Sequence, residues 1–271
     1  MGPLALRELA QRWLQQRRPA MWVEIARVKG SVPREDSTRM LVSAAEVAGT
    51  IGGGHLEWQA IARAQAALKE AVGRPLAAWD WPVTLGPSLG QCCGGALTLR
   101  FFPLDGASLA NWASEPPRFH LQLHGAGHVG RAIVKLLADL PCEALWVDER
   151  EDGFPATPLP AHLRCCASDQ PEAEVADAPA GAFFLVMTHS HALDFRICEA
   201  VLRRGDFGFL GLIGSASKKA GFLRRWRERG VPEARLDRLV SPVGLPGIEG
   251  KAPEVIAIAI AAQLLQLSAP R

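Results

Sequence analysis

Residues 120–148 constrain the fold of this chain more than any other stretch. A short apolar run at 120–124 meets Gly125-Ala126-Gly127-His128-Val129-Gly130. Ile133, Val134, Leu136, Leu137 and Leu140 then recur at helical spacing, and a second apolar run at 144–147 closes on Asp148. Strand, G-x-G-x-x-G turn, helix, strand and acid is the dinucleotide-binding fingerprint in its proper context, with the acid near the expected separation of about 20 residues. Gly127 permits close approach of a phosphate to the backbone, and Asp148 is placed to accept ribose hydroxyls from an NAD-like group. The same turn serves other phosphates, so NAD(P) is one candidate and another nucleotide is a second.

The alternation continues downstream. Strands are expected at 163–166, 182–187 and 207–213, with a helix over 193–204, which makes an α/β, doubly wound parallel sheet ordered 3-2-1-4-5. Ligands of such sheets gather at the carboxyl ends of the strands. Three features fall there: the glycine turn, Thr188-His189-Ser190-His191, and Gly214-Ser215-Ala216-Ser217-Lys218-Lys219. Ser215 suits a helix cap, and Lys218 would add a cation for a phosphate at that helix start. His189 and His191 read equally well as ligand contacts or as loop imidazoles bonded to backbone. The last segment, 252–267, is apolar on nearly all sides and should be buried, against the first domain or in a subunit interface.

The first hundred residues have a different rhythm. An amphipathic helix over 4–18 precedes strands at 21–28 and 39–43, with Arg34 and Arg39 flanking a polar loop. Gly49-Thr50-Ile51-Gly52-Gly53-Gly54-His55-Leu56-Glu57 then opens a helix whose apolar residues are Leu56, Ala60, Ile61, Ala64, Leu68 and Ala71. Gly52, Gly53 and Gly54 at a helix start present free N–H groups to an anion, with His55 and Glu57 in the first turn; a plain tight turn would use the same glycines. Strands at 79–83 and 96–102 enclose Gly90-Gln91-Cys92-Cys93-Gly94-Gly95. Adjacent thiols between glycines suit either a thiol site beside a polar ligand or two small residues entering a strand. The resulting division is a smaller α+β domain over 1–104, a linker over 105–117 rich in turn residues, and the Rossmann-like domain over 118–271.

Composition narrows the function classes. Thirty basic against 28 acidic residues give a net charge of +2, so wholesale binding to nucleic acid or to an acidic membrane is not expected. The first helix carries five charges among its apolar residues, unlike a secretory signal. The six cysteines match no paired CxxC zinc spacing and read as thiols of a cytoplasmic protein.

On these residues the chain resembles the XdhC family, the xanthine dehydrogenase accessory proteins, with the CoxI-type carbon monoxide dehydrogenase accessory proteins as relatives. The resemblance runs over nearly the whole chain, through the segments 30–34, 39–42, 49–57, 90–95, 125–130, 187–191, 211–215 and 246–247. It implies a chaperone that binds the molybdenum cofactor as molybdopterin or its dinucleotide form. Such a protein guards the cofactor during sulfuration by a cysteine desulfurase and inserts it into apo-xanthine dehydrogenase or a related molybdenum hydroxylase. The assembly would be the single chain or a homodimer. Under that reading Arg34, Arg39 and the glycine helix start take the cofactor phosphate, Gln91 lies beside the cofactor, and Cys92 or Cys93 approaches the molybdenum or carries a persulfide. One departure is Ser37, where family members often have glycine. The competing class is an NAD(P)-dependent oxidoreductase built on Gly125, Gly127, Gly130 and Asp148, with His189 or His191 as proton donor.

Overall fold

The computed structural model describes residues 2–30, 38–71, 74–85, 95–112 and 116–269. The chain divides into two compact units, Met1–Glu115 and Pro116–Arg271.

In the first unit five antiparallel strands form a sheet ordered β3-β2-β1-β5-β4: β1 (Ala20–Lys29), β2 (Arg39–Ser43), β3 (Val47–Gly49), β4 (Trp79–Thr84) and β5 (Ala96–Pro103). Side chains of a strand alternate between faces. Met21, Val23 and Ile25 of β1 accordingly join Met40 and Val42 of β2 in a core under α2 (Gly54–Glu70). Helix α2 answers with Leu56, Ala60, Ala64 and Leu68, all buried and four residues apart, one stripe of a 3.6-residue period. On the other face Trp22 and Leu41 pack with Leu6, Ala10 and Trp13 of α1 (Pro3–Gln15) and with Leu109 of α3 (Gly106–Ala110). Helix α3 lies within the stretch expected to be linker. The Asp105 side chain accepts from Ser108 N–H and the Ser108 side chain reaches back to Asp105 N–H, a capping box that starts the helix. Trp112 then packs on Trp22, with ring centroids 4.9 Å apart, so residues 105–112 close the first domain and the boundary falls after 115.

The second unit is a mixed α/β domain with six parallel strands: β6 (His120–His124), β7 (Glu143–Asp148), β8 (Leu163–Ala167), β9 (Phe183–Val186), β10 (Phe209–Leu212) and β11 (Leu239–Val240). They are ordered β11-β10-β9-β6-β7-β8, the expected 3-2-1-4-5 arrangement extended by a sixth strand of two residues. Helices α4 (His128–Leu137) and α8 (Pro253–Leu267) cover one face, while α5 (His191–Arg204) and α6 (Ala216–Glu228) cover the other; a short α7 (Glu233–Leu236) precedes β11. Helix α8 buries Ala257, Ile260 and Leu264 in the core that α4 also lines, inside its own unit, and leaves Ile258 and Leu267 exposed. Its burial is therefore one-sided and comes from its own domain, because alanines at 257 and 261 let two helix backbones approach closely. Among the described residues no helix is long and apolar enough to cross a membrane.

One buried base is expected to shape the acid stability of this unit. His124 is 0% exposed; its Nε2 lies 3.2 Å from Gln122 Oε1, and its Nδ1 finds no partner among the described residues. Burial pushes its pKa from 6.5 down to about 3. The unfolded chain then takes up a proton below about pH 6.5 that the folded chain refuses, so stability falls as pH drops through that window toward 3. The expected slope from this group is about 1.4 kcal/mol per pH unit below pH 6. Urea unfolding at pH 7, 6 and 5 checks it: His124→Phe should lose less stability on acidification than the parent, and parallel curves would refute the assignment.

Candidate functional site at the strand ends

The three glycines of the turn after β6 have different physical reasons. Gly125 sits at φ +121°, and a Cβ there would lie 2.4 Å from Met187 O; a Cβ on Gly130 would lie 2.1 Å from Gly125 O. The fold itself requires both. Gly127 has extended backbone at φ −75°, ψ −172°, open to any residue, and an added Cβ would meet nothing within 4 Å. Its missing side chain keeps space free in front of a helix start that no side chain caps. First-turn N–H groups of a helix have no intrahelical partner and favour an anion. A cavity of about 360 Å³ opens there, lined by Gly127, His128, Arg131, Arg150 and Asp152. A second, of about 300 Å³, is shared by Gly125, Gly127, Thr188 and His189.

Asp148 departs from its expected role. Its side chain is 2% exposed, and both oxygens are engaged. Oδ2 accepts from Ala126 N–H at 2.6 Å and from Arg150 Nη2 at 3.3 Å, while Oδ1 accepts from Arg150 N–H at 3.0 Å and Nε at 2.9 Å. Burial alone would raise its pKa, but these donors outweigh it and hold the carboxyl below the usual range. Asp148 thus braces the glycine turn, and it also lines the second cavity. Trp146 Nε1 donates to Gly125 O at 3.0 Å and braces the same turn.

Lys218 is likewise paired within the chain. Its ammonium points inward to Asp194 Oδ2 at 2.5 Å and to Ile213 O at 2.9 Å, with side-chain exposures of 8% for Lys218 and 0% for Asp194. Asp194 also accepts from Thr188 N–H at 2.9 Å and Thr188 Oγ1 at 2.7 Å. The cluster ties the loop after β9 to the loop after β10. Ser215 caps α6 by accepting from Lys218 N–H at 3.3 Å, as its position suggested. His189 is exposed, 3.8 Å from Glu149, and lines the second cavity; His191 is the exposed first residue of α5 and lines neither.

In the first unit the glycine helix start is closed by its own chain. Gly52, Gly53 and Gly54 adopt φ of +123°, +76° and +69°, conformations that require glycine. Glu57 Oε2 accepts from Thr50 Oγ1 at 2.5 Å, Ile51 N–H at 2.9 Å and Gly53 N–H at 3.1 Å. The anion expected at the turn is thus supplied in part by Glu57, which braces it. Arg39 is likewise committed: Nε donates to Glu24 Oε2 at 3.0 Å across the β1–β2 register, and its guanidinium lies 5.5 Å from Trp22 and 5.3 Å from Trp112. His55 stays exposed, stacked on Trp58 with centroids 5.6 Å apart.

Strand register gathers the motif-bearing segments. Glu24 faces Arg39 and Met40 faces Gly49, while Lys29 and Thr84 both face Ala96. The end of β1, the start of β2, the end of β3, the end of β4 and the start of β5 therefore share one end of the sheet. Arg34, Gln91, Cys92 and Cys93 lie outside the described residues. The four described cysteines are poor nucleophiles. Burial pushes Cys142 up to about 12, with Glu143 adding to it, and Cys198 well above its ordinary value; burial raises Cys165 and Cys166 as well. No group of His, Cys, Asp or Glu among the described residues could hold a metal ion.

Sequence reasoning missed Arg131, Arg150 and Trp58. Arg150 stands two residues after the fingerprint acid, and Trp58 falls off the apolar stripe of α2, so both had a readable signal.

Residues 121–264 match the XdhC Rossmann domain, and residues 13–77 match the XdhC and CoxI family. The chain belongs to the XdhC family. It is 30% identical over 261 residues to the uncharacterized protein YqeB of Escherichia coli K12, covering 93% of this chain and 44% of that one. This XdhC-family chain thus spans less than half the length of that relative. A crystal structure described as a xanthine dehydrogenase from Bacillus halodurans superposes with a TM-score of 0.74 at 20% identity, over 98% of this chain and 96% of that one. The likeness extends the shared fold to both units.

Proposed function

We propose that this XdhC-family protein is an accessory chaperone whose cargo is the molybdenum cofactor. It binds molybdopterin or its dinucleotide form, shelters it during sulfuration by a cysteine desulfurase, and hands it to apo-xanthine dehydrogenase or a related molybdenum hydroxylase. The observations that support this reading are the match of residues 121–264 and 13–77 to the XdhC family and the open, uncapped start of α4 beside Arg131 and Arg150. An NAD(P)-dependent oxidoreductase would need Asp148 to give up a contact with Ala126 N–H or Arg150 to take a ribose diol.

The residues present suit such cargo. Gly127 leaves room for a phosphate or diphosphate at the start of α4, with Arg131 and Arg150 on the cavity wall. Thiolates are soft ligands compatible with a dithiolene-bound molybdenum, which assigns that contact to Cys92 or Cys93. When bound, the cargo brings the redox centre that the recipient enzyme needs; the carrier's own residues hold, orient and shield it.

The decisive experiment is elemental analysis and pterin fluorescence of protein purified from cells that make the cofactor. Molybdenum near one equivalent per chain is expected; its absence, together with substrate-dependent NAD(P) reduction, would overturn the reading. A second expectation concerns the thiols. With Cys142, Cys165, Cys166 and Cys198 all held protonated, iodoacetamide should label Cys92 or Cys93 first, and bound cofactor should slow that labelling. Peptide mapping reads the order, and earlier labelling at the exposed Cys165 would remove the thiols from the mechanism.

A further inference from the structure

Asp148 holds the position from which a dinucleotide-binding turn ordinarily accepts a ribose diol, yet both of its oxygens are engaged by Ala126 and Arg150. A second carboxylate follows it closely. Asp152 is exposed, accepts no hydrogen bond among the described residues, and lines the cavity of about 360 Å³ at the start of α4. Its placement is fixed by its neighbours. It belongs to a short helical turn, Glu151–Gly153, whose Gly153 is buried against the glycine turn: a Cβ there would lie 3.0 Å from Ala126 Cβ and 3.7 Å from Asp148 Cγ. Phe154 then packs edge-on to Trp146, with centroids 5.1 Å apart, and Trp146 in turn donates to Gly125 O.

The cavity therefore offers two unlike kinds of group. Arg131, Arg150 and the uncapped N–H groups of α4 suit an anion, and Gly127 leaves open the space that a Cβ would fill. Asp152 suits hydroxyl donors. A cation would meet two guanidiniums, and a bare phosphate would set a second anion beside Asp152. A ribonucleoside phosphate satisfies both, with its phosphate toward the helix start and its vicinal diol toward Asp152. A further phosphate on that diol would meet Glu149, Glu151 and Asp152 within one short segment, so an unmodified ribose is selected.

We propose that Asp152 is the ribose-diol acceptor of this site and that the site selects a ligand carrying a ribonucleoside diphosphate. The assignment rests on the chaperone reading and narrows it: molybdopterin alone offers a phosphate and no ribose, so the cargo held here is the dinucleotide form.

Isothermal titration of the full chain with CDP, GDP and ADP, and with their deoxyribose counterparts, tests it. For the diphosphate that binds best, the parent should prefer the ribose form by about 10-fold or more, the effect of a hydrogen bond to a charged acceptor. In Asp152→Ala that preference should fall to near parity, and in Asp152→Asn it should lie between. The ratio is the readout, because removing a carboxylate raises the affinity of any anion. Melting should not change, since Asp152 is exposed. Parity in the parent, an undiminished preference in Asp152→Ala, or no binding of any of these nucleotides overturns the assignment; if the parent still purifies with molybdenum, the chaperone role survives that result. A preference that depends on Asp152 in protein purified without molybdenum would overturn the chaperone reading and, with it, the assignment of this ribose to the cargo.

Discussion

Replacing Asp194 with alanine is expected to destabilise the second domain by about 3–5 kcal/mol, the cost of leaving a buried cation without its partner. The Lys218 side chain is 8% exposed and its ammonium would keep only Ile213 O as a partner, while Thr188 would lose an acceptor for both its N–H and its hydroxyl. Urea denaturation at pH 7 measures the loss. The double variant Asp194→Leu, Lys218→Met should recover much of it, because an apolar pair of similar volume removes the uncompensated charge. A loss under about 1 kcal/mol in the single variant would mean that water or a shifted side chain satisfies Lys218 without Asp194.

Gly127→Val should separate binding from folding. The backbone at Gly127 suits any residue and an added Cβ has no protein atom within 4 Å, so stability should stay within about 0.5 kcal/mol of the parent. The isopropyl group would instead occupy the space in front of the α4 N–H groups and lower cofactor or nucleotide affinity on the order of 100-fold, as an overpacked contact costs about 1–3 kcal/mol. Gly130→Ala is the counterpart, with its Cβ driven against Gly125 O, and should lose stability before affinity can be measured. Paired melting and binding titrations check both. Normal ligand affinity in folded Gly127→Val would make the turn purely structural.

The fold was legible where the sequence carries a period. The alternating apolar residues of β1 and the four-residue stripe of α2 each report a face, and the glycine turn between β6 and α4 announces itself by local chemistry. Strand β11 has two residues and no period to read, so the sixth position of the sheet was invisible. The helix over 106–110 was hidden by Asp105-Gly106, read as a turn, although the Asp105 and Ser108 spacing is itself a capping signal. The site was legible in residue type and much less in role. Asp148, Lys218, Arg39 and Glu57 were each read as reaching for a ligand, and each also holds a protein partner. For Lys218 and Arg39 that partner is Asp194 or Glu24, set opposite by loop packing or strand register. Such pairings depend on which chain ends meet, and one-dimensional spacing does not encode that. Gly127 could be told from Gly125 and Gly130 only by what a Cβ would touch.

The pairing of β1 with β5 also sets an order of events on the ribosome. The central strand of the first sheet, residues 20–29, lacks one of its neighbours until residues 96–103 have emerged, since Lys29 pairs with Ala96 and Met21 with Pro103. Non-local pairing of this kind is slow and leaves a strand edge open while synthesis proceeds. The segment carrying Cys92 and Cys93 is translated immediately before that closing strand. A nascent chain therefore completes the central pairing of its first sheet only after β5 has emerged, late in that domain's synthesis.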